Sequence, residues 1–265
     1  MGVLLLVGLL WIGSIVTERQ MRRDQVVKDI AASSSHAQRL VGPILLVPYE
    51  ETIQERQDDP NIGRHAITRQ ATGQVLILPE KFRLDGAMPT ERRARGIYEA
   101  RLYHANLKIR ASFEIPAHYG IQNNLTAYRF GQPSIALGIT DIRGIESTST
   151  VTVNTAPVKL FAGTTSGLLG GGLHAPLTNI DADNPSHIDF VMDLGVLGTS
   201  EFHVIPVGRD NQIALSSNWA SPGFIGQYLP VRHEIGPKGF SAQWATSFFS
   251  TVLGLRPASS PASSQ

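Results

Sequence analysis

Residues 103–115 alternate without a break. Tyr103, Ala105, Leu107, Ile109, Ala111, Phe113 and Ile115 are apolar, and His104, Asn106, Lys108, Arg110, Ser112 and Glu114 between them are polar or charged. A period of two held over thirteen residues fits a strand with one dry and one wet face. One wet face predicts an antiparallel sheet, because parallel α/β sheets are covered on both sides. Pro116 ends the run.

The same patterning fills most of the chain. Short apolar runs at 44–47 and 75–78 stop at Pro48 and Pro79, and Asp85-Gly86 is a turn signal. The charged stretch 54–70, with Asp58-Asp59-Pro60-Asn61, reads as a loop or hairpin tip. Ile135, Leu137 and Ile139 alternate, 148–153 is rich in β-branched residues, and Ile188, Phe190, Met192 and Leu194 alternate again. Turns at 198–200 and 208–211 divide the next stretch into runs 201–207 and 212–216. This rhythm predicts three strands in a meander, and a sandwich-like sheet protein. Phe240, Ala242 and Trp244 predict one more strand. The chain's 25 Gly and 16 Pro suit such a turn-rich fold.

The start of the chain is different in kind. Residues 1–17 hold no charged side chain, and charge is dense immediately afterwards. A run apolar on all sides predicts a membrane-inserted helix, with Leu4, Leu5, Leu6, Leu9, Leu10, Trp11, Ile12 and Ile15 meeting lipid. Seventeen residues reach about 25 Å, against a hydrocarbon core of roughly 30 Å. No basic residue precedes the run, and a true beginning upstream of Met1 is expected. A cleaved signal and a buried core helix are the alternatives; Trp11-Ile12-Gly13-Ser14-Ile15 is a poor cleavage sequence. Met21, Val26, Val27, Ile30 and Ala31 continue one helical stripe, predicting a juxtamembrane linker helix, with a docking helix as the alternative, that Ser33-Ser34-Ser35 breaks. Arg19, Arg22 and Arg23, read alone, place the large domain in the cytoplasm.

A net charge of +1 gives no basic face for nucleic acid, and the absence of cysteine excludes disulfides and thiol chemistry. Gly163 to Gly172 lacks the Gly-Lys-Ser/Thr ending of a phosphate loop. Asp181, Asp183, His187 and Asp189 match no calcium-loop spacing and read as turn caps. The eight histidines are scattered, and no serine sits in a nucleophile elbow. No catalytic, cofactor or metal residue is assigned. Trp219, Phe224, Tyr228 and Trp244 belong to an aromatic concentration in the last fifth of the chain. Core packing is the first reading of it, and a surface for sugar, lipid or protein is the second. Phe248, Phe249, Val252 and Leu253 suit a bilayer interface if they lie beside one.

Several segments resemble the CreD family of bacterial inner-membrane proteins. They are Ser217-Asn-Trp-Ala-Ser-Pro-Gly-Phe-Ile-Gly226, Tyr228-Leu-Pro230 and Gly239-Phe-Ser-Ala-Gln-Trp244. Earlier ones agree: Arg39-Leu-Val-Gly-Pro43, Leu78-Pro-Glu80, Arg95-Gly-Ile-Tyr98 and Asp141-Ile-Arg-Gly144. The resemblance implies one N-terminal membrane helix, a large periplasmic domain and several C-terminal membrane helices. It implies a role in cell-envelope integrity, with expression tied to a two-component response to envelope stress; it brings no enzymatic activity or catalytic residue to carry over, and a non-enzymatic protein is expected. The C-terminal helices do not appear within these 265 residues, so a fragment or a truncated product is expected.

The expected organisation is a transmembrane helix at 1–17, a linker helix at 18–35, a mainly β periplasmic domain at 36–250 and a disordered tail at 251–265. The expected partners are the lipid bilayer and envelope components or membrane proteins; no nucleic acid and no cofactor are expected. A hydrolase with a dispersed site and a ligand or stress sensor are the alternative functions.

Overall fold

The computed structural model describes residues 2–59, 63–147, 149–178 and 180–247. One helix, α1 (Gly2–Ser33), precedes a body of strands. In chain order these are β1 (Gln38–Asp59), β2 (Gly63–Ile77), β3 (Lys81–Ala87), β4 (Thr90–Arg95), β5 (Tyr98–Ile115), β6 (Tyr128–Phe130), β7 (Ser134–Ile139) and β8 (Thr150–Val153). There follow β9 (Ala156–Pro157), β10 (Phe161–Ala162), β11 (Gly172–Pro176), β12 (Ser186–Thr199), β13 (Phe202–Ile205), β14 (Asp210–Ser217), β15 (Arg232–Gly236) and β16 (Gly239–Ser247). The protein is mainly β, as expected.

The strands form a 7-stranded sheet, ordered β10-β11-β7-β1-β13 with β2 and β6 on β1, and a 9-stranded sheet, ordered β15-β16-β14-β3-β5-β12-β8-β9 with β4 on β5. One apolar core joins them: Leu45, Val47, Ile135 and Leu137 of the first sheet pack with Phe82, Ile109, Phe113 and Met192 of the second. The architecture is therefore a sandwich. All seven apolar positions of the 103–115 alternation are buried in that core. β12 pairs with β5 along its whole 14-residue length, from Ser186↔Ile115 to Thr199↔Leu102. β7 is buried on both faces, because Ile44, Leu46, Ala136 and Val207 make a second small core behind it.

Three expectations need correction. The meander does not form. β13 leaves the sheet of β12 and lies parallel to β1, with Gln38↔Phe202, while β14 lies parallel to β3. The 198–200 turn is a corner between sheets: Ser200 takes a positive φ of 67° and donates its N–H to Arg101 O, and Gln38 N–H reaches Glu201 O. The sheets are consequently mixed rather than purely antiparallel. Of the two readings of the charged stretch 54–70, the hairpin holds and the loop does not, since β1 and β2 stay in register from Leu45↔Ile77 to Asp59↔Gly63. Pro60 and Asn61 at its tip lie outside the described residues.

α1 is one continuous helix of 32 residues. Among the described residues no helix is long and apolar enough to cross a membrane. The side chains of Leu4, Leu5, Leu6, Leu9, Leu10 and Ile12 lie outside the described residues, whereas Trp11 (71%) and Ile15 (40%) are exposed. The last turns of α1 are more than a linker. Ile30 is buried against Ala100 and Leu102, with Val26 and Leu197 beside them. Phe248, Phe249, Val252, Leu253 and the 251–265 tail lie outside the described residues.

Ile109 is fully buried, and Lys108 stands on the wet face between Asp85 of β3 and Asp193 of β12. Ile109→Asp should cost about 4 kcal/mol or more in a denaturant melt, because it places an unpaired charge in the core. Lys108→Gln should stay within about 0.5 kcal/mol. Lys108→Asp should cost up to about 1 kcal/mol by setting like charges across both ladders. Equal losses for Ile109→Asp and Lys108→Gln would contradict the assigned faces.

Candidate functional site

Two features stand out from the sheets, an aromatic groove and a buried polar clamp. The groove, about 580 Å³, lies between the edge strand β13 of one sheet and β14 and β16 of the other. The loop 218–231 covers it in part. That loop is fixed at its start, where Asn218 Oδ1 accepts from Thr90 N (2.8 Å) and Thr90 Oγ1 (2.9 Å), and at its end, where Val231 N–H reaches Gln243 O. Period two along β16 turns Phe240, Trp244 and Thr246 to the groove.

Trp219, Phe224, Tyr228 and Trp244 all line this groove and are half-buried. Phe224 is the hub: its ring meets Phe240 at 5.5 Å and Trp244 at 5.5 Å, edge to face in both cases. The Arg101 guanidinium stands 5.1 Å over the Trp219 ring. The inner wall is Tyr103, whose ring packs edge-on against Phe202 at 5.8 Å. Tyr103 Oη donates to Glu201 O at 2.7 Å, and burial pushes its phenol well above the usual range. Two hydroxyls on the walls, Tyr228 Oη and Thr246 Oγ1, are buried and have no partner among the described residues.

The clamp joins the end of α1 to both sheets. Gln38, at the first position of β1, is buried. Its Nε2 donates to Ser35 Oγ (2.8 Å), Asp141 O (2.9 Å) and Leu197 O (3.1 Å), and its Oε1 accepts from Asp141 N (3.2 Å). Thr199 Oγ1 donates to Ser35 O at 2.7 Å. Asp141 caps a short turn and receives Arg143 through Nε (2.9 Å) and Nη2 (2.7 Å), with His36 Nδ1 3.0 Å away. Arg143 foremost, then His36, holds the Asp141 carboxyl well below the usual carboxylate range. Gly144 allows the close approach: a Cβ there would meet Leu197 O, Gln38 Nε2 and Ser35 Oγ.

These geometries account for two of the segments singled out in the sequence. Asp141-Ile-Arg-Gly144 is half of the clamp, and Ser217 to Gly226 is one wall of the groove. The chain matches the family model described as inner membrane protein CreD over residues 1–260. It is 32% identical over 257 residues to the inner membrane protein CreD of Escherichia coli (strain K12). The chain belongs to the CreD family. The match takes in 97% of this chain and 55% of that relative, so the chain spans just over half the length of the curated CreD protein.

Sequence reading missed the clamp of this CreD-family chain. Ser35, Gln38 and Thr199 are polar residues at turns and strand ends, and nothing local marks them as buried. Their only signal is that a polar residue repeatedly stands where an apolar one would continue the strand. Of the acidic and histidine positions weighed as ligands, Asp181 and His187 are engaged by neighbouring groups. Asp181 accepts from Asp183 N and Asn184 Nδ2, and His187 lies 2.7 Å from Glu114 and 3.2 Å from Asp189. Glu114, then Asp189, raises the His187 imidazole above its ordinary value. Among the described residues no group of three or more His, Asp or Glu gathers to hold a metal ion.

Asp141→Asn should cost about 2 kcal/mol at pH 7, by leaving Arg143 without its carboxylate and weakening the cap. A carboxyl depressed in the folded state stabilises fully above its unfolded pKa of about 3.9 and loses that stabilisation as pH falls. Denaturant melts at pH 7 and pH 3 should therefore show the two proteins converging in acid. A gap that persists unchanged at pH 3 would contradict the clamp's electrostatics. Gly144→Ala should cost about 2 kcal/mol or more in the same assay, since the new methyl meets a backbone carbonyl.

Proposed function

We propose that this chain is a membrane-tethered, non-catalytic domain that supports cell-envelope integrity, with residues 1–17 inserted in the inner membrane and the sandwich in the periplasm. One observation carries the reading. α1 runs unbroken from the apolar start of the chain into the body, where Ile30 and the Gln38 clamp seat it. Whatever holds residues 1–17 thereby holds the sandwich, about 24 Å away along sixteen helical residues. The insertion itself rests on the uncharged run at 1–17, which no soluble surface helix would need. The description of the family as inner-membrane proteins agrees with it. A role without catalysis is supported by the use made of Asp141, whose carboxyl is held well below the usual range. Asp141 is occupied by Arg143 and His36 in a joint that connects elements.

The cytoplasmic placement suggested by Arg19, Arg22 and Arg23 competes with the periplasmic one, and a single experiment separates them. A reporter that is active only outside the cytoplasm, fused after Ser250, should be active, and the fusion should stay with membranes through alkaline washing. Deleting residues 2–17 should move the chain to the aqueous fraction. Activity of a cytoplasm-only reporter at the same position would refute the orientation, and membrane retention after the deletion would refute the tether.

A further inference from the structure

We propose that the aromatic groove is a binding site for a single acyl chain carrying an anionic head, the chemistry shared by a fatty acid and a lysophospholipid. The walls decide the tail. Trp219, Phe224, Phe240, Trp244 and Leu215 present rings and aliphatic carbon to a space of about 580 Å³, within the range of pockets that bury a small ligand. The walls are also unfilled by the protein's own side chains, although the adjoining core is closed. Burying them would stabilise a bound apolar chain by roughly 25 cal/mol per Å² removed from water.

The rim decides the head. Arg39 lines the groove at its β1 side, and no carboxylate among the described residues lies within ion-pair reach of it. Arg101 lies over Trp219 and likewise has no carboxylate partner among the described residues. The one acidic rim residue, Glu201, is already engaged by His203 at 2.9 Å. Arg39 on the rim and Arg101 behind Trp219 are thus two cationic groups without carboxylate partners among the described residues, and they complement one anionic head.

The position decides the source. Ser200 and Tyr103 at the upper end of the groove stand level with Arg101 and Leu102 of β5, and α1 docks on Ala100 and Leu102 of the same strand. This part of the groove therefore lies beside the strand end on which α1 docks. Exposed Ile225 (71%) and Leu229 (67%) extend the apolar surface beyond the groove on the covering loop. A lipid-derived ligand rests on the tethered reading above; binding itself does not.

Tryptophan fluorescence tests the site directly. The chain has three tryptophans, of which Trp219 and Trp244 line the groove and Trp11 lies in α1. The Trp11→Phe full-length chain, held in phosphatidylcholine nanodiscs, would be titrated with 9,10-dibromostearate, whose bromines quench on contact. Saturable quenching is expected, with dibromostearyl alcohol binding at least about tenfold more weakly. Thr246→Phe, which fills the groove, should weaken the quenching about tenfold. Arg39→Ala should weaken the acid about fivefold and leave the alcohol unchanged. Competition by lysophosphatidylglycerol at lower concentration than by stearate identifies a phospholipid source, and the reverse a free fatty acid. Non-saturating quenching that tracks only the probe's partition into the nanodisc overturns the site. Equal affinity for acid and alcohol overturns the anionic head. If Thr246→Phe does not fold, the surface variant Arg39→Ala still decides, by separating acid from alcohol. Loss of binding with the chain still in the membrane fraction would sink this site and leave the tether intact.

Discussion

Burial of the odd-numbered face of β5 is the constraint on which the other elements depend. Ile109 and Phe113 reach across to the 7-stranded sheet, while β3 and β12 flank β5 on either side. Each large apolar side chain there is worth about 1.5–3 kcal/mol of transfer free energy. The even face does a different job. It leaves Lys108 and Arg110 in water, but at its first residues it turns apolar, and Ala100 and Leu102 receive the end of α1. One strand therefore serves two packing problems, with the change of partner written into its first turn of pleat.

The clamp solves the problem that this change creates. A helix that ends at a sandwich corner leaves backbone groups without partners, and burying them bare costs a few kcal/mol each. The Gln38 side chain supplies both donor and acceptor at that point, and Thr199 satisfies the carbonyl of Ser35. Polar networks of this kind are strong only when complete. Here Asp141, Arg143 and His36 complete it toward solvent. The result is a joint of fixed angle between helix and sheets, held by hydrogen bonds whose directions an apolar contact could not impose.

How much of this was legible in the sequence depends on how local each signal is. Strand β5 and most of β12 are written in period two, and the alternation at 103–115 reproduces the observed burial side chain by side chain. β7 shows the same alternation, yet both its faces are covered, because the second small core draws on Ile44, Leu46 and Val207 from elsewhere in the chain. The destinations of β13 and β14 were not legible. Their own residues say strand, but their partners Gln38 to Val41 and Lys81 to Ala87 lie far away in the chain. The four aromatics of the groove were visible as a local concentration. Their convergence was not, because the opposite wall comes from Tyr103 and Phe202. The stripe that docks Ile30 was legible, but its receiving surface at Ala100 and Leu102 lies far along the chain and was not.

The clamp also sets a schedule. Gln38 reaches Leu197 O across 159 residues, and Ser35 accepts from Thr199 across 164. The joint at the foot of the helix consequently cannot close until residue 199 has left the ribosome, and contacts of such separation form slowly. During synthesis the first helix is available long before the body that will be fastened to it. A chain built this way is delivered first and locked afterwards, so the angle between its parts is fixed only once the sandwich is whole.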